Sequence, residues 1–430
     1  MSGPGRAIPH TTSRAAVLDV IRAAGTISRV GLADATGFTG ATISTVVRKL
    51  IDDGLVMETG RTESTGGKPR VLLRLDHTSR YAIGVHIDPV GITYALTDLT
   101  GAVVSRMTRA GAGEEDPAVI VGRAATQIGI LVDGAGVDRE RVLGIGLVTA
   151  ASGSHPHQPT MRHWADFPAE TELARVTGLP VVTGNDATAA ALGEYWAGST
   201  HGSSVFAAVS IGTHLGAGLV VNGLPYHGAG GFAGQIGHVC LDLEGPVCWC
   251  GARGCAEAIA GPGAVVDAAR ADTALARTAG LDGEHPSVAA EFTAVVRAAR
   301  RGEARAIALL DDSARHLAVA VRSMANIVDL DLLVLTGPGS AAAGPFYLPA
   351  IQQELDRAFF ARADHPVRVR LSTFASTAPA IGAATMVLQT ELVPMRPGHR
   401  LPEGIGQETG ELRPRDPEFQ GGPGASQRGG

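Results

Sequence analysis

The sequence predicts an α/β protein in two parts: a small three-helix unit closed by a β-hairpin, then a body of two similar α/β lobes. Three observations carry that reading. Helical periodicity fills the first fifty residues and then gives way to alternating strand patterns. Two strand–turn–strand–turn–strand runs, at 81–109 and 204–228, resemble each other. All 4 cysteines fall between residues 240 and 255.

At 430 residues the chain exceeds one ordinary core, so two or three domains are expected. A composition of 45% hydrophobic and 18% charged residues excludes a disordered chain. The longest apolar runs, such as "FAAVSIG" and "LLVLTG", fall far short of the ~20 residues that span a bilayer, and no membrane partner is expected. The N-terminus lacks a basic-then-apolar leader, which places the expected site of action in the cytoplasm. In a reducing compartment, clustered cysteines point to metal or redox chemistry rather than disulfides. Residues 1–76 carry ten Lys/Arg against seven Asp/Glu, a net +3, and the remainder carries −9 of the total −6. A basic head on an acidic body suits nucleic-acid contact at one end only.

In "SRAAVLDVIRAAG" the residues Val17, Leu18, Val20 and Ile21 share one helical face, and Gly25 is a C-cap signal. "TISRVGLADATG" starts a second helix with Ser28 as N-cap, turns Leu32 and Ala33 inward and stops at Gly37. After the turn "FTG", with Thr39, comes "ATISTVVRKLIDDG". There Ile43, Val46, Val47, Leu50 and Ile51 form the apolar stripe while Thr42, Ser44, Thr45, Arg48 and Lys49 face out. "LVMETGRTESTGGKPRVLLRLD" then reads as two strands around a hairpin carrying Arg61, Lys68 and Arg70, with Glu58 and Glu63 the nearby acids. Three helices and a hairpin make a winged helix-turn-helix over residues 1–76, whose third helix suits a major groove. Short polar and basic side chains there reach phosphates and base edges. The bland alternative is a small helical packing module.

From Tyr81 the triplet "YAIGVHIDPVGITYALTDLTGAVVSRMTR" begins, and near residue 204 "SVFAAVSIGTHLGAGLVVNGLPYHG" repeats it, with Asn222-Gly223 as a hairpin turn. Each triplet is followed by helical stretches alternating with single strands, "RVLGIGLV" and "LPVVTGND", then "DLLVLTGPG" and "PVRVRLST". Two lobes over 77–200 and 201–392, each opened by three antiparallel strands, imply a duplicated, nucleotide-kinase-like architecture with a cleft between lobes. Residues 393–430 are rich in Pro, Gly and charge, and read as a disordered tail.

In "GHVCLDLEGPVCWCGARGCAE", Cys248, Cys250 and Cys255 lie close enough for three thiolates to converge, with Gly251 and Gly254 letting the backbone fold back. A structural zinc site takes four soft or borderline ligands at about 2.0–2.3 Å. His238 is the natural fourth ligand; Cys240 competes and would make the site all-thiolate. With every position filled, Zn2+ would be structural rather than a water activator. If His238 is the ligand, Cys240 is left over as a buried strand residue.

"GGFAGQIGHV" followed by "CWCGARGCAEAIAG" resembles the signature of the ROK family (repressors, open reading frames and sugar kinases), over essentially residues 10–392. The resemblance implies a two-lobed actin-like, sugar-kinase-like body (duplicated RNase-H-like), and the N-terminal winged helix is that of the family's repressor branch. It implies a cleft that binds a sugar or sugar derivative. "VTGNDATAAALGE" then places Asn185 as a sugar contact and Asp186 as the would-be catalytic base of a kinase. The same two residues also suit a helix N-cap. In "GQIGH", Gln235 stands where the family's usual Glu would contact sugar, His238 is retained as sugar contact and zinc ligand, and Glu257 matches the last sugar-binding carboxylate. A neutral amide donates as well as accepts, which leaves room for an acidic or modified sugar.

Kinases of the family carry "DxGGT" in the first turn. Here "GVHIDPVGI" puts His86 where Asp belongs and Asp88, Pro89 and Val90 where Gly-Gly-Thr belong. Proline offers no N–H to a phosphate, and a carboxylate repels one. "IGTHLGAG" keeps Gly212, Thr213 and Gly216 but has His214 in a usual Gly position, and "LTGPGS" keeps half of a Gly-Gly element. The sequence therefore favours a non-catalytic, sugar-responsive DNA-binding regulator, a repressor acting at the nucleoid, over an ATP-dependent sugar kinase. The expected partners are operator DNA, a sugar effector and a second copy of the chain, with a dimer expected and a tetramer the larger option.

Overall fold

The computed structural model describes residues 10–61, 70–149, 161–164, 166–197, 203–221, 223–281 and 287–391. The expected tail at 393–430, the hairpin tip with Glu63 and Lys68, and Asn222 of the expected turn lie outside the described residues.

The head begins with α1 (His10–Ala24), whose Val17, Leu18, Val20 and Ile21 are fully buried. Gly25 follows at φ +69°, a left-handed stop that side chains with a Cβ resist. β1 (Ile27–Ser28) leads into α2 (Arg29–Thr36), where the Ser28 hydroxyl accepts from the Gly31 N–H and Gly37 closes the helix at φ +70°. Ala35, not Ala33, is the buried partner of Leu32; Ala33 is half-buried. α3 (Gly40–Asp52) is capped by Thr39, buries Ile43, Val47 and Leu50, and leaves Val46 and Ile51 half-buried. β2 (Val56–Arg61) and β3 (Val71–Leu75) form the wing. β1 adds itself to β3 with Ile27 opposite Leu73, giving a three-stranded sheet of order β1-β3-β2. A two-residue strand is too short to announce itself in a hydrophobic pattern, so the sequence does not reveal it.

The first body sheet is β4 (Tyr81–Ile87), β5 (Gly91–Asp98), β6 (Val103–Ala110), β7 (Val142–Thr149) and β8 (Val181–Asn185). Its outer face is covered by α4 (Pro117–Gly134) and α5 (Ala169–Thr177). α6 (Asp186–Ala197) leads to the second sheet, β9 (Val205–Ile211), β10 (Leu215–Val221), β11 (Leu224–Pro225), β12 (Leu332–Thr336) and β13 (Arg368–Leu371). Between them run α7 (Ala256–Ala260), α8 (Pro262–Ala271), α9 (Thr273–Ala279), α10 (Val288–Arg300) and α11 (Ala304–Val328). α12 (Pro338–Ala358) and α13 (Ala378–Glu391) complete the chain. The strand orders are β6-β5-β4-β7-β8 and β11-β10-β9-β12-β13, the same path twice: three antiparallel strands, then two added in parallel.

Two helices exchange lobes. α13, last in the chain, lies on the first sheet, where a Cβ on Gly84 or Gly146 would come within 1.7 and 1.9 Å of the Ala380 and Ala383 carbonyl oxygens. α6, which the sequence division at residue 200 gives to the first lobe, instead lies on the second sheet, with Gly218 accommodating the Ala187 carbonyl. The two helices cross at Gly193 and Gly382. Near its far end α6 is tied to the second sheet by Glu194, a buried carboxylate that accepts from Ser372 and from the Thr336 hydroxyl. A single hydrophobic core joins the head (Leu18, Ile21, Leu50, Leu73) to Leu192 and Trp196 of α6 and to Ala384, Val387 and Leu388 of α13. The Arg22 guanidinium of α1 lies 4.1 Å over the Trp196 ring, held there by Asp19 at 2.9 Å.

Candidate ligand pocket and metal loop

A cavity of about 630 Å³ lies between the sheets, and Asn185, Asp186, Gln235, His238 and Glu257 all line it. That volume is in the range of small-molecule sites. Asn185 ends β8, and its side-chain oxygen accepts from the Thr188 N–H at 3.0 Å, so it caps α6 as well as facing the cavity. Asp186 opens α6, with its carboxylate 3.9 Å from the His86 ring. Burial pushes the Asp186 carboxyl above the usual carboxylate range, while the nearby imidazole pulls it partly back. Gln235 precedes a single 3-10 turn, Ile236–His238, and is exposed. Gly234 before it sits at φ +86°, where a Cβ would lie 1.9 Å from the Ala217 carbonyl oxygen. Glu257, in the first turn of α7, is buried; it accepts from the Leu215 N–H at 2.7 Å and meets the His214 Nδ1 at 3.0 Å.

His238, Cys248, Cys250 and Cys255 place their ligand atoms within 4.8 Å of one another. The His238 Nδ1 is 3.7 Å from the Cys248 Sγ, and the Cys250 and Cys255 sulfurs are 3.7 Å apart. Thiolates at about 2.3 Å around a tetrahedral zinc would sit about 3.8 Å apart, so this donor set fits the ion. Burial pushes the Cys255 thiol up to about 12, the behaviour of a sulfur that a metal cation would relieve of its proton. Gly251 and Gly254 take φ +93° and +66°, and a Cβ on Gly254 would overlap the Asp242 carbonyl. Cys240 stands outside the cluster. It is exposed rather than buried, and its backbone forms an isolated antiparallel bridge with Cys255.

Two turns beside the cavity hold contacts among the protein's own groups. In the β4–β5 turn the Asp88 carboxylate accepts from the Val90 N–H at 2.9 Å, so one loop amide already has an anion. The Pro89 carbonyl accepts from the Gly113 N–H, joining the turn to the loop after β6. In the β9–β10 turn His214 reaches across the cavity to Glu257. Gly337 and Pro338 line the cavity at the start of α12, where Pro338 takes the first helical position. Trp249, between two metal-loop cysteines, also lines the cavity. In the sequence His214 departs from a usual glycine but nothing local fixes where its ring goes, and Trp249 has no signal beyond its place in the loop.

On the head, Thr39, Ser44, Thr45, Arg48, Lys49 and Arg70 are exposed, and Thr42 is half-buried. Thr39 and Thr42 also bond each other in the α3 cap. Arg61 ends β2.

The ROK family sequence model matches residues 83–390. A protein from Caldicellulosiruptor sp. (strain Rt8B.4), whose name places it among xylose repressors, is 30% identical over 386 residues, 85% of this chain and 93% of its own. A glucokinase from Halalkalibacterium halodurans is 29% identical over 323 residues, 73% of this chain and 97% of its own. Among solved structures, a ROK family transcriptional regulator described as a homolog of the Escherichia coli MLC protein superposes with a TM-score of 0.70 at 24% identity. It covers 89% of this chain and 97% of its own.

Proposed function

The chain belongs to the ROK family, and from that premise we propose that it is a sugar-responsive transcriptional repressor whose kinase-like body senses rather than phosphorylates. The carrying observation is that the helix whose first residue, Asp186, lines the cavity places Trp196 of its last turn inside the core shared with the head. Two relatives named as xylose repressors each match 85% of this chain, whereas the glucokinase matches 73% of it.

Asn185, Asp186, Gln235, His238 and Glu257 would contact the sugar. His238, Cys248, Cys250 and Cys255 would hold a structural zinc, which supplies no more than a fixed loop geometry. Non-catalysis is supported by the turn at 88–90, where proline and an inward carboxylate replace phosphate donors. A sugar panel measured for ATP turnover tests this, and sugar-dependent turnover lost in Asp186→Asn would establish the kinase reading instead.

The lobe exchange suggests how the signal travels. α6 moves with the second sheet and α13 with the first, and the head rests on both. A ligand that binds one lobe angle better than another therefore also selects one head position. In a homodimer this would set the separation of two α3 helices on a palindromic operator. Arg22→Ala removes a buried cation–π contact worth about 0.5–2 kcal/mol. Sugar affinity should hold, while the sugar-induced change in operator affinity shrinks several-fold; an undiminished change in gel-shift titrations would refute the route through Trp196.

Arg48, exposed on α3, tests the head. With an operator selected from random or genomic fragments, Arg48→Ala should weaken binding about 5- to 100-fold, as loss of a base or phosphate contact does. Unchanged affinity in fluorescence anisotropy would remove α3 as the reading helix.

A further inference from the structure

We infer that the effector of this pocket is an uncharged, unphosphorylated sugar seated with a ring face against Trp249. This inference rests on the sugar-sensor reading and narrows it.

The first observation is electrostatic. Among the described residues lining the cavity there is no Lys or Arg, while Asp88, Asp186 and Glu257 all face it. Each of the cavity's three imidazoles faces a group of the protein, and the buried His86 Nε2, without a hydrogen-bond partner among the described residues, is left to meet a ligand hydroxyl. His214 bonds Glu257, His86 faces Asp186 at 3.9 Å, and His238 is turned by its Nδ1 toward the metal-loop thiols. Two backbone donors of the lining already hold carboxylates, the Val90 N–H pointing to Asp88 and the Leu215 N–H to Glu257. A phosphate or carboxylate on the ligand would find no guanidinium fork or ammonium and would meet three acids. An uncharged polyol meets acceptors suited to its hydroxyl protons.

The second observation is the indole. Trp249 is half-buried, lines the cavity and is held at an angle by two rings. His238 meets it edge-on at 4.7 Å and 82°, and His214 lies 5.8 Å away at 53°. An aromatic face fixed by the metal loop on one side and the β9–β10 turn on the other offers a preorganised apolar wall. Gln235, on the same cavity, adds an uncharged donor and acceptor. An acidic sugar, which Gln235 by itself left open, is thus disfavoured by its surroundings.

The test titrates the purified full chain with D-xylose, D-glucose and N-acetyl-D-glucosamine, and in parallel with glucose 6-phosphate, N-acetylglucosamine 6-phosphate and glucuronate. Thermal shift and tryptophan emission are followed; the chain has only 3 Trp. At least one neutral sugar should bind about tenfold or more tighter than any charged counterpart, which is ~1.4 kcal/mol. Trp249→Ala should weaken that binding about tenfold with zinc content unchanged, and Trp249→Phe should restore most of it. Tighter binding of a phosphorylated or acidic sugar overturns the inference while leaving the sensor reading intact. Unchanged affinity in a zinc-replete Trp249→Ala protein overturns the stacking role. Binding of no sugar in either series overturns the sensor reading itself, and this inference with it.

Discussion

Asp186→Asn should abolish most of the effector response while making the unliganded protein more stable. The carboxylate opens onto the cavity from a half-buried side chain, and burial raises its pKa, with His86 opposing in part. A carboxyl raised in the folded state favours folding in its protonated form. That contribution is complete below the unfolded carboxyl range, near pH ~4, and is lost as pH climbs through the folded pKa. At neutral pH the ionised group therefore costs stability that an amide does not. The melting temperature of Asp186→Asn should match the wild type at acid pH and exceed it increasingly toward neutrality. Sugar affinity should fall about 10- to 100-fold, the effect of losing a hydrogen bond to a charged group. Thermal unfolding from pH 4 to 8 and sugar titrations of both proteins check the two halves. A stability difference that does not grow with pH would show that the raised carboxyl is not a stored cost of the site, and retained sugar affinity would remove Asp186 from it.

The same residue shows how far sequence reaches. "VTGNDATAAALGE" announces a strand end, a cap and a helix, because those are decided by neighbours a turn apart. Asn185 does cap α6 through the Thr188 N–H. Which sheet the helix covers is another matter. α6 is buried without a break from Ala187 to Glu194, so it has no solvent face that could orient it, and only the glycines of distant strands decide its seat. In the same way, Gly25, Gly37 and Ser28 bound the head's helices locally, while the attachment of that head to Trp196 depends on residues more than 170 positions away. The cysteine spacing and His238 were legible because a metal site constrains residue type and local chain reach together. Cys240 misled because alternation in a two-residue bridge is not a strand pattern. His214 and Glu257 meet across 43 residues, and nothing in either neighbourhood encodes that contact.

Cys250→Ser should uncouple sugar from DNA without disabling the DNA reader. Removing one thiolate leaves three donors for an ion that structural sites hold with four, so metal affinity should collapse. What the metal would hold together is a strand of pocket wall: Trp249 lies between two of its ligands, His238 is itself a ligand, and Cys255 stands at the N-terminal end of α7, two residues before Glu257. Loosening these groups raises the ordering cost that a bound sugar must overcome, which lowers affinity without removing a single direct contact except through position. The head is insulated from that damage. Its core is shared with α6, α13 and the first sheet, and no residue of the metal loop belongs to it. Operator affinity of the unliganded variant should therefore stay within about threefold of wild type, while sugar-induced thermal stabilisation falls toward zero because stabilisation follows binding by mass action. Wild-type protein stripped of metal by a chelator should behave alike, and metal content measured alongside separates metal loss from general unfolding. A metal-free protein that still answers sugar with a normal change in operator affinity would refute the metal loop as the pocket's scaffold. Loss of operator binding in step with sugar response would instead place the loop in the stability of the whole chain.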